Sequence, residues 1–175
     1  MMKLSGNSSD KKIPLVDYVQ LVVLGVILYL SKICMEALPN LHLLTPLIAV
    51  GVAVFGLRCV IAVETYALLQ VFLNGFTPWT LYHLYIWIPL IFILYATRNL
   101  PKFSWQIIAM LYGFLYGTLC APQQALLFHY NLRQTGLWIL SGLPFDITHG
   151  IGNFVLFTLY YPLVRAVKLV RRSEG

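Results

Sequence analysis

Val16 to Ala37 reads VDYVQLVVLGVILYLSKICMEA, a run with no charge between Asp17 and Lys32. At about 1.5 Å of rise per residue a helix of this length spans about 33 Å, which matches the ~30 Å hydrocarbon core of a bilayer. The residues before it, Met1 to Leu15, are polar and basic, and the run closes on Lys32 and Glu36 without a small-residue cleavage site. It is therefore expected as a retained first transmembrane helix and not as a signal peptide.

Further apolar runs follow. Pro39-Asn40 marks a turn after the first, and the second covers Leu43 to Phe55, closed by Gly56 and Arg58. Cys59 to Phe72 makes a third, broken by Asn74-Gly75 and Thr77-Pro78, and Trp79 to Ala96 a fourth, ending at Arg98, Pro101 and Lys102. A fifth starts near Ser104 and reaches the Leu119 to Phe128 region, where Pro122 and Gln123-Gln124 blur its end. Asn131 to Gly142 reads as a loop with a short helix around Trp138, and a sixth span enters at Pro144, a favourable first-turn position, and continues through Tyr161. The expected fold is an all-α integral membrane bundle of six transmembrane helices. Residues 1–15 form a cytoplasmic segment, 16–170 a single membrane domain and 171–175 a cytoplasmic tail.

Composition agrees. Only 10% of the 175 residues are charged and 59% are hydrophobic, where a soluble domain carries about 25% charge. Charge placement then sets the topology. With six spans and the N-terminus inside, the inner side holds Lys3, Lys11, Lys12, Arg58, Arg98, Lys102, Arg165, Lys168, Arg171 and Arg172, and the outer side only Lys32 and Arg133. Adding or removing a middle span destroys this positive-inside bias, so both termini are expected in the cytoplasm of a multi-pass cell-membrane protein. The net charge of +6 is thereby assigned to orientation in the bilayer and not to nucleic acid.

Polar groups inside the apolar runs point to the bundle interior, because a charge at bilayer depth costs about 2.5–3.5 kcal/mol on insertion scales. Glu64 is the deepest acid, either a coupling or subunit-contact residue or a carboxyl hydrogen-bonded in the bundle. Gln70 and Asn74 share a face four residues apart. His83 lies one turn from both Trp79 and Trp87 and suits helix packing. The densest constellation, Gly142 to Asn153, places Asp146, His149 and Asn153 on one face, with Asp146 expected in the first turn of the sixth helix. Gly113-x-x-x-Gly117 is a packing pattern. Cys34, Cys59 and Cys120 form no CxxC, and neither a disulfide framework nor a metal site is suggested. No nucleophile elbow, zinc-protease motif, phosphate loop or paired carboxylates occur, so the chain reads as a non-enzyme whose ATP chemistry, if any, belongs to partners.

The stretches Leu38-Pro39-Asn40-Leu41-His42-Leu43-Leu44-Thr45-Pro46-Leu47, Val54-Phe55-Gly56, Leu73-Asn74-Gly75-Phe76, Tyr85-Ile86-Trp87 and Gly142-Leu143-Pro144-Phe145-Asp146 with His149 and Gly152-Asn153 resemble the S-components of energy-coupling factor transporters. The resemblance covers most of residues 16–165. It implies a six-helix subunit that binds a vitamin at its outer face and works with a transmembrane coupling subunit and two cytoplasmic ATPases that consume ATP and Mg. Many S-components carry a small-x-x-x-small motif in the first helix for docking. Here Gly25 is followed four residues later by Tyr29, so Gly25 with Ala49 and Ala53 on the second span are the expected subunit contacts.

Among S-components the chain is most similar to the cobalamin-type subunits. Aromatic and neutral polar groups on the outer side suit a large amide-decorated ligand, whereas a carboxylated vitamin is expected to need a buried Arg or Lys. Arg133 keeps pantothenate or folate open, and a queuosine precursor or a non-transport scaffold role are further alternatives. The expected ligand site gathers Asn40, His42, Asn74, Trp79, Tyr82, Gln123, Tyr130, Asn131, Trp138, Asp146 and His149 at the outer face.

Overall fold

The computed structural model describes residues 14–38 and 41–173, with the side chains of 170–173 outside the description. Among the described residues the chain is all helical: α1 (Leu15–Cys34), α2 (Leu44–Phe55), α3 (Val60–Asn74), α4 (Pro78–Tyr82), α5 (Ile88–Ala96), α6 (Lys102–Phe114), α7 (Tyr116–Phe128), α8 (Leu132–Leu156) and α9 (Tyr160–Ser173). Short 3-10 turns at Gly56–Cys59 and Phe157–Leu159 link α2 to α3 and α8 to α9. Four helical stretches are long and apolar enough to cross a membrane: Leu15–Cys34, Leu44–Asn74, Lys102–Phe128 and Leu132–Leu169.

The second of these stretches is folded back on itself. Gly56 has φ +62°, a left-handed conformation that glycine adopts without a Cβ penalty, and it reverses the chain. Cys59 Sγ then lies 3.6 Å from the Ile48 carbonyl oxygen, where a straight helix would separate them by about 16 Å. α1 and α3 run parallel, since Arg58 meets Asp17 at 3.4 Å and, further along, Ala62 and Thr65 press on Gly25. α6–α7 and α8 run antiparallel, through the pairs Gln106–Phe154, Ala109–Asn153, Gly113–Gly150 and Gly117–Asp146. α4–α5 opposes α6–α7, through Gln123 Nε2 donating to the Pro78 carbonyl (2.9 Å) and the Tyr112 hydroxyl donating to the Ile86 carbonyl. Six passes of alternating direction result, and the start of α1 and the end of α9 lie at one end, where Val19, Phe55 and Val167 line a common groove. That end is the terminal end below; the opposite one, with residues 34–38, 41–43, 74–79 and 128–132, is the distal end.

The contacts between passes follow residue size and polarity. A Cβ on Gly113 would lie 2.7 Å from the Gly150 Cα, so α6 and α8 touch backbone to backbone, as small residues permit in membrane helix pairs. Thr45 Oγ1 donates to Asn153 Oδ1 at 3.1 Å, and Asn153 Nδ2 donates to the Ala109 carbonyl at 3.0 Å. One buried amide thus joins α2, α6 and α8 in a setting where an unmade bond is costly.

Several expectations from sequence are corrected. The expected loop Asn131 to Gly142 is helical, and the last pass begins at Leu132 and not at Pro144. Asn131 Oδ1 accepts from the Gln134 backbone N–H, and Gln134 Oε1 accepts from that of Asn131, each at 2.9 Å, a capping box that starts the helix twelve residues early. Pro144 lies inside α8 on an exposed face, and its carbonyl accepts a bond from Thr148 Oγ1 at 3.0 Å. Asp146 is accordingly mid-helix, not in a first turn. The fourth pass is not continuous, because turn residues His83–Trp87 separate α4 from α5. The fifth pass does extend to Phe128, with Pro122 inside α7. Gly25 and Ala49, expected as contacts for another subunit, are buried within this chain's own bundle, and Ala53 packs partly buried against the core.

Candidate functional site

The distal end holds a cavity of about 330 Å³ between the ends of α1 and α3 and the short helix α4, with Tyr116 of α7 beside it. Its walls come from Lys32 and Glu36 of α1 and its extension, Gln70 and Asn74 of α3, and Thr77, Trp79, Thr80, Tyr82 and His83 around α4. α4 exists because Thr77 and Thr80 form a capping box, Thr80 N–H donating to Thr77 Oγ1 (3.2 Å) and Thr77 N–H to Thr80 Oγ1 (2.9 Å), with Pro78 at the first helical position. α7 pins it from the other side, through Gln123 on the Pro78 carbonyl and the Tyr82 hydroxyl donating to Gln124 Oε1. Trp79 is left 69% exposed, edge-on to Tyr82 at 5.7 Å.

A string of hydrogen-bonded rings lies at the His83 side. Trp87 Nε1 is 3.3 Å from His83 Nδ1, and an indole N–H only donates, so Nδ1 is the acceptor and the ring is neutral with its proton on Nε2. That Nε2 faces Tyr66 Oη at 3.4 Å. Trp87 also packs on Tyr116 at 5.7 Å and on His42 at 5.7 Å, while His149 contacts both Tyr116 and His42 at 4.6 Å. His42 Nδ1 and His149 Nε2 are buried without a hydrogen-bond partner among the described residues. Burial pushes the His42 imidazolium down to about 4, so this ring too stays neutral around pH 7.

On the α3 wall, Asn74 Nδ2 donates to Gln70 Oε1 at 2.9 Å. Gln70 is 2% exposed, and its Nε2 has no partner among the described residues. That nitrogen is enclosed on the Tyr66 side of α3, so the part of Gln70 that lines the cavity is not its amide donor.

Of the residues expected from sequence, Asn74, Trp79 and Tyr82 line this cavity. Asn40 lies outside the described residues. His42 and His149 form a ring pair packed on Trp87 and Tyr116 rather than lining the cavity. Gln123 holds α4 in place. Tyr130 stacks on Phe128 at 5.8 Å, Asn131 caps α8, and Trp138 is half-buried against the core, so none of the three lines the cavity. Asp146 Oδ1 accepts from the Gly117 N–H at 2.9 Å and so caps the start of α7 from the neighbouring helix, while its Oδ2 is buried without a partner among the described residues. Arg133 is exposed on α8 and does not line the cavity. Sequence reasoning did not assign Lys32, Gln70, His83 or Tyr116 to the site, although the i, i+4 pairing of Gln70 with Asn74 pointed to the first of those walls.

Glu64 is half-buried with Oε1 lacking a partner among the described residues, and it lines none of this cavity. A second space of about 400 Å³ lies between α1, α2 and α9, lined by Val19, Val23, Leu24, Phe55 and Val167 among others. It is larger but almost wholly aliphatic, and a specific ligand site needs convergent polar groups that this groove lacks. No family model, curated protein or solved structure matches the chain.

Proposed function

We propose that this chain is the membrane-embedded ligand-binding subunit of a micronutrient importer of the S-component kind, capturing its ligand in the distal cavity with that end facing outward. The carrying observation is the joining, at one end of a six-pass bundle, of an exposed tryptophan with the neutral polar side chains of Asn74, Thr77, Thr80 and Tyr82 around one cavity. Such a surface binds an organic solute by stacking and hydrogen bonding without importing net charge into the bilayer.

Charge placement supports the orientation. Arg58, Arg98, Lys102, Arg165 and Lys168 lie towards the terminal end, with Lys32 and Arg133 towards the distal one, a bias that supports a cytoplasmic terminal end by the positive-inside rule. Energy for uptake comes, on this proposal, from ATP and Mg handled by two ATPase partners through a coupling subunit, since the chain has no phosphate-binding loop. Cobalamin is the ligand that the sequence resemblance suggests. A cavity of about 330 Å³ sits at the small end of the ~300–1,000 Å³ range for ligand pockets, so a corrinoid would place only part of itself inside, whereas a smaller micronutrient enters whole.

Mass spectrometry of small molecules released from the detergent-purified chain tests the proposal. A single micronutrient near one equivalent is expected, together with ATPase subunits recovered by affinity purification from the native membrane. An empty protein that recovers no ATPase would point instead to a scaffold subunit, and turnover of a substrate without ATP to an enzyme.

A further inference from the structure

α3 buries Ala62, Val63, Tyr66, Ala67 and Gln70 against the bundle and turns Leu68 and Phe72 outward, 52% and 83% exposed. Glu64 stands one turn before Leu68 and two before Phe72, so the three share one outward stripe of the helix. By helical rise Glu64 lies about 9 Å deeper along the pass than Arg58, further than a glutamate side chain reaches, and Asn74 at the distal end is about 15 Å beyond it. The carboxyl is therefore at bilayer depth. Its Oε1 is enclosed, its Oε2 is open at the helix surface, and neither has a partner among the described residues. Thr65 Oγ1 donates to the Ile61 carbonyl at 2.8 Å and Arg58 Nη1 to Asp17 Oδ2 at 3.4 Å, so the nearest hydroxyl and the nearest cation along the chain are engaged elsewhere. Acyl chains offer a carboxyl no hydrogen-bond donor, which is why acids within membrane spans face cavities or partners.

We propose that this stripe of α3 is the docking face for a membrane-spanning helix of another protein, one that carries a lysine or arginine meeting Glu64 Oε2 while its apolar residues pack on Leu68 and Phe72. The acid selects the occupant. Lipid supplies only hydrocarbon at this depth and leaves Oε2 unpaired. A second copy of this chain, in the usual two-fold contact, sets the same face against itself and brings two carboxyls together, which like charge opposes. A helix with a basic side chain at the matching depth pairs the charge, and the apolar residues one and two turns further on extend the contact along the pass. Glu64 lines none of the distal cavity, so this assignment does not depend on a ligand being bound there.

The test places a photoreactive benzophenone amino acid at position 68 of the full chain in its native membrane, with the same group at position 147, on the exposed side of α8, as the reference. Position 68 is expected to cross-link to a membrane-spanning segment of one other protein, with a lysine or arginine in the cross-linked peptide by mass spectrometry, and position 147 is not. Glu64→Gln should lower that yield about tenfold or more, as removal of one partner of an enclosed charge pair does. Glu64→Lys, set against a glutamate at the partner's basic position, should restore it. A loss caused by misfolding of the variants would not be restored by this exchange, and failure to restore overturns the proposal. It is overturned equally by a yield that Glu64→Gln leaves unaltered and by a cross-linked segment without a basic residue. Cross-linking to a second copy of this chain, or only to lipid, does the same.

Discussion

Asn153 holds three passes together with one side chain. It accepts from Thr45 and donates to the Ala109 carbonyl, and at 2% exposure neither partner has water to fall back on. Asn153→Leu should cost about 2–3 kcal/mol and lower the thermal midpoint in detergent, the double change with Thr45→Val costing less than the sum of the two singles. Trp79 is the opposite kind of residue, 69% exposed and packed only edge-on against Tyr82. Trp79→Ala should leave that midpoint within about 1 °C, since exposed positions contribute within roughly 0.5 kcal/mol. Retention of the co-purified solute should fall about fivefold or more, as expected for a lost aromatic contact of about 1 kcal/mol. Unchanged retention would move the site away from the distal cavity.

At the scale of elements, α6 and α7 both press closely on α8, because Gly113 of α6 meets Gly150 and Gly117 of α7 meets the Asp146 carboxylate with no room for a Cβ. Gly113→Leu should force α6 and α8 apart and abolish the folded monomer seen by size exclusion, whereas Leu111→Ala on the exposed side of α6 should behave as wild type. The start of α8 is a milder case. Its capping box sits at an exposed terminus, so Asn131→Ala should cost only about 1 kcal/mol and leave solute retention unaltered, separating a cap from a ligand contact.

For the whole molecule, the alternating passes put both described ends of the chain at one end of the bundle and Cys34 near the other. Cys34 is exposed, while Cys59 and Cys120 are buried. A membrane-impermeant maleimide applied to intact cells should therefore label Cys34. In a Cys34→Ser background, Ser8→Cys should be labelled only after permeabilisation. Labelling of position 8 in intact cells would reverse the orientation and turn the distal cavity towards the cytoplasm.

Six apolar runs, their order and the uneven placement of basic residues were readable from sequence, because bilayer thickness and the cost of buried charge act on composition run by run. The fold-back at Gly56 was legible as a break after Phe55, and the pairing of Gly113 with Gly117 as a packing face. Where helices begin within a pass was less so: Pro144 resembled a start only because the Asn131–Gln134 capping box was read as loop. The site divided in the same way. Trp79, Tyr82 and Asn74 could be picked out as aromatic and amide groups beside turn signals. The roles of Asn131, Asp146 and Gln123 are set by partners three, 29 and 45 residues away, which capping and cross-helix hydrogen bonds choose only once the passes are packed. Lys32 looked like an outer-edge charge and Gln70 like one polar residue on an apolar helix. That both reach the same cavity depends on α1 and α3 running parallel in register, and it is tertiary packing, not local sequence, that sets that register.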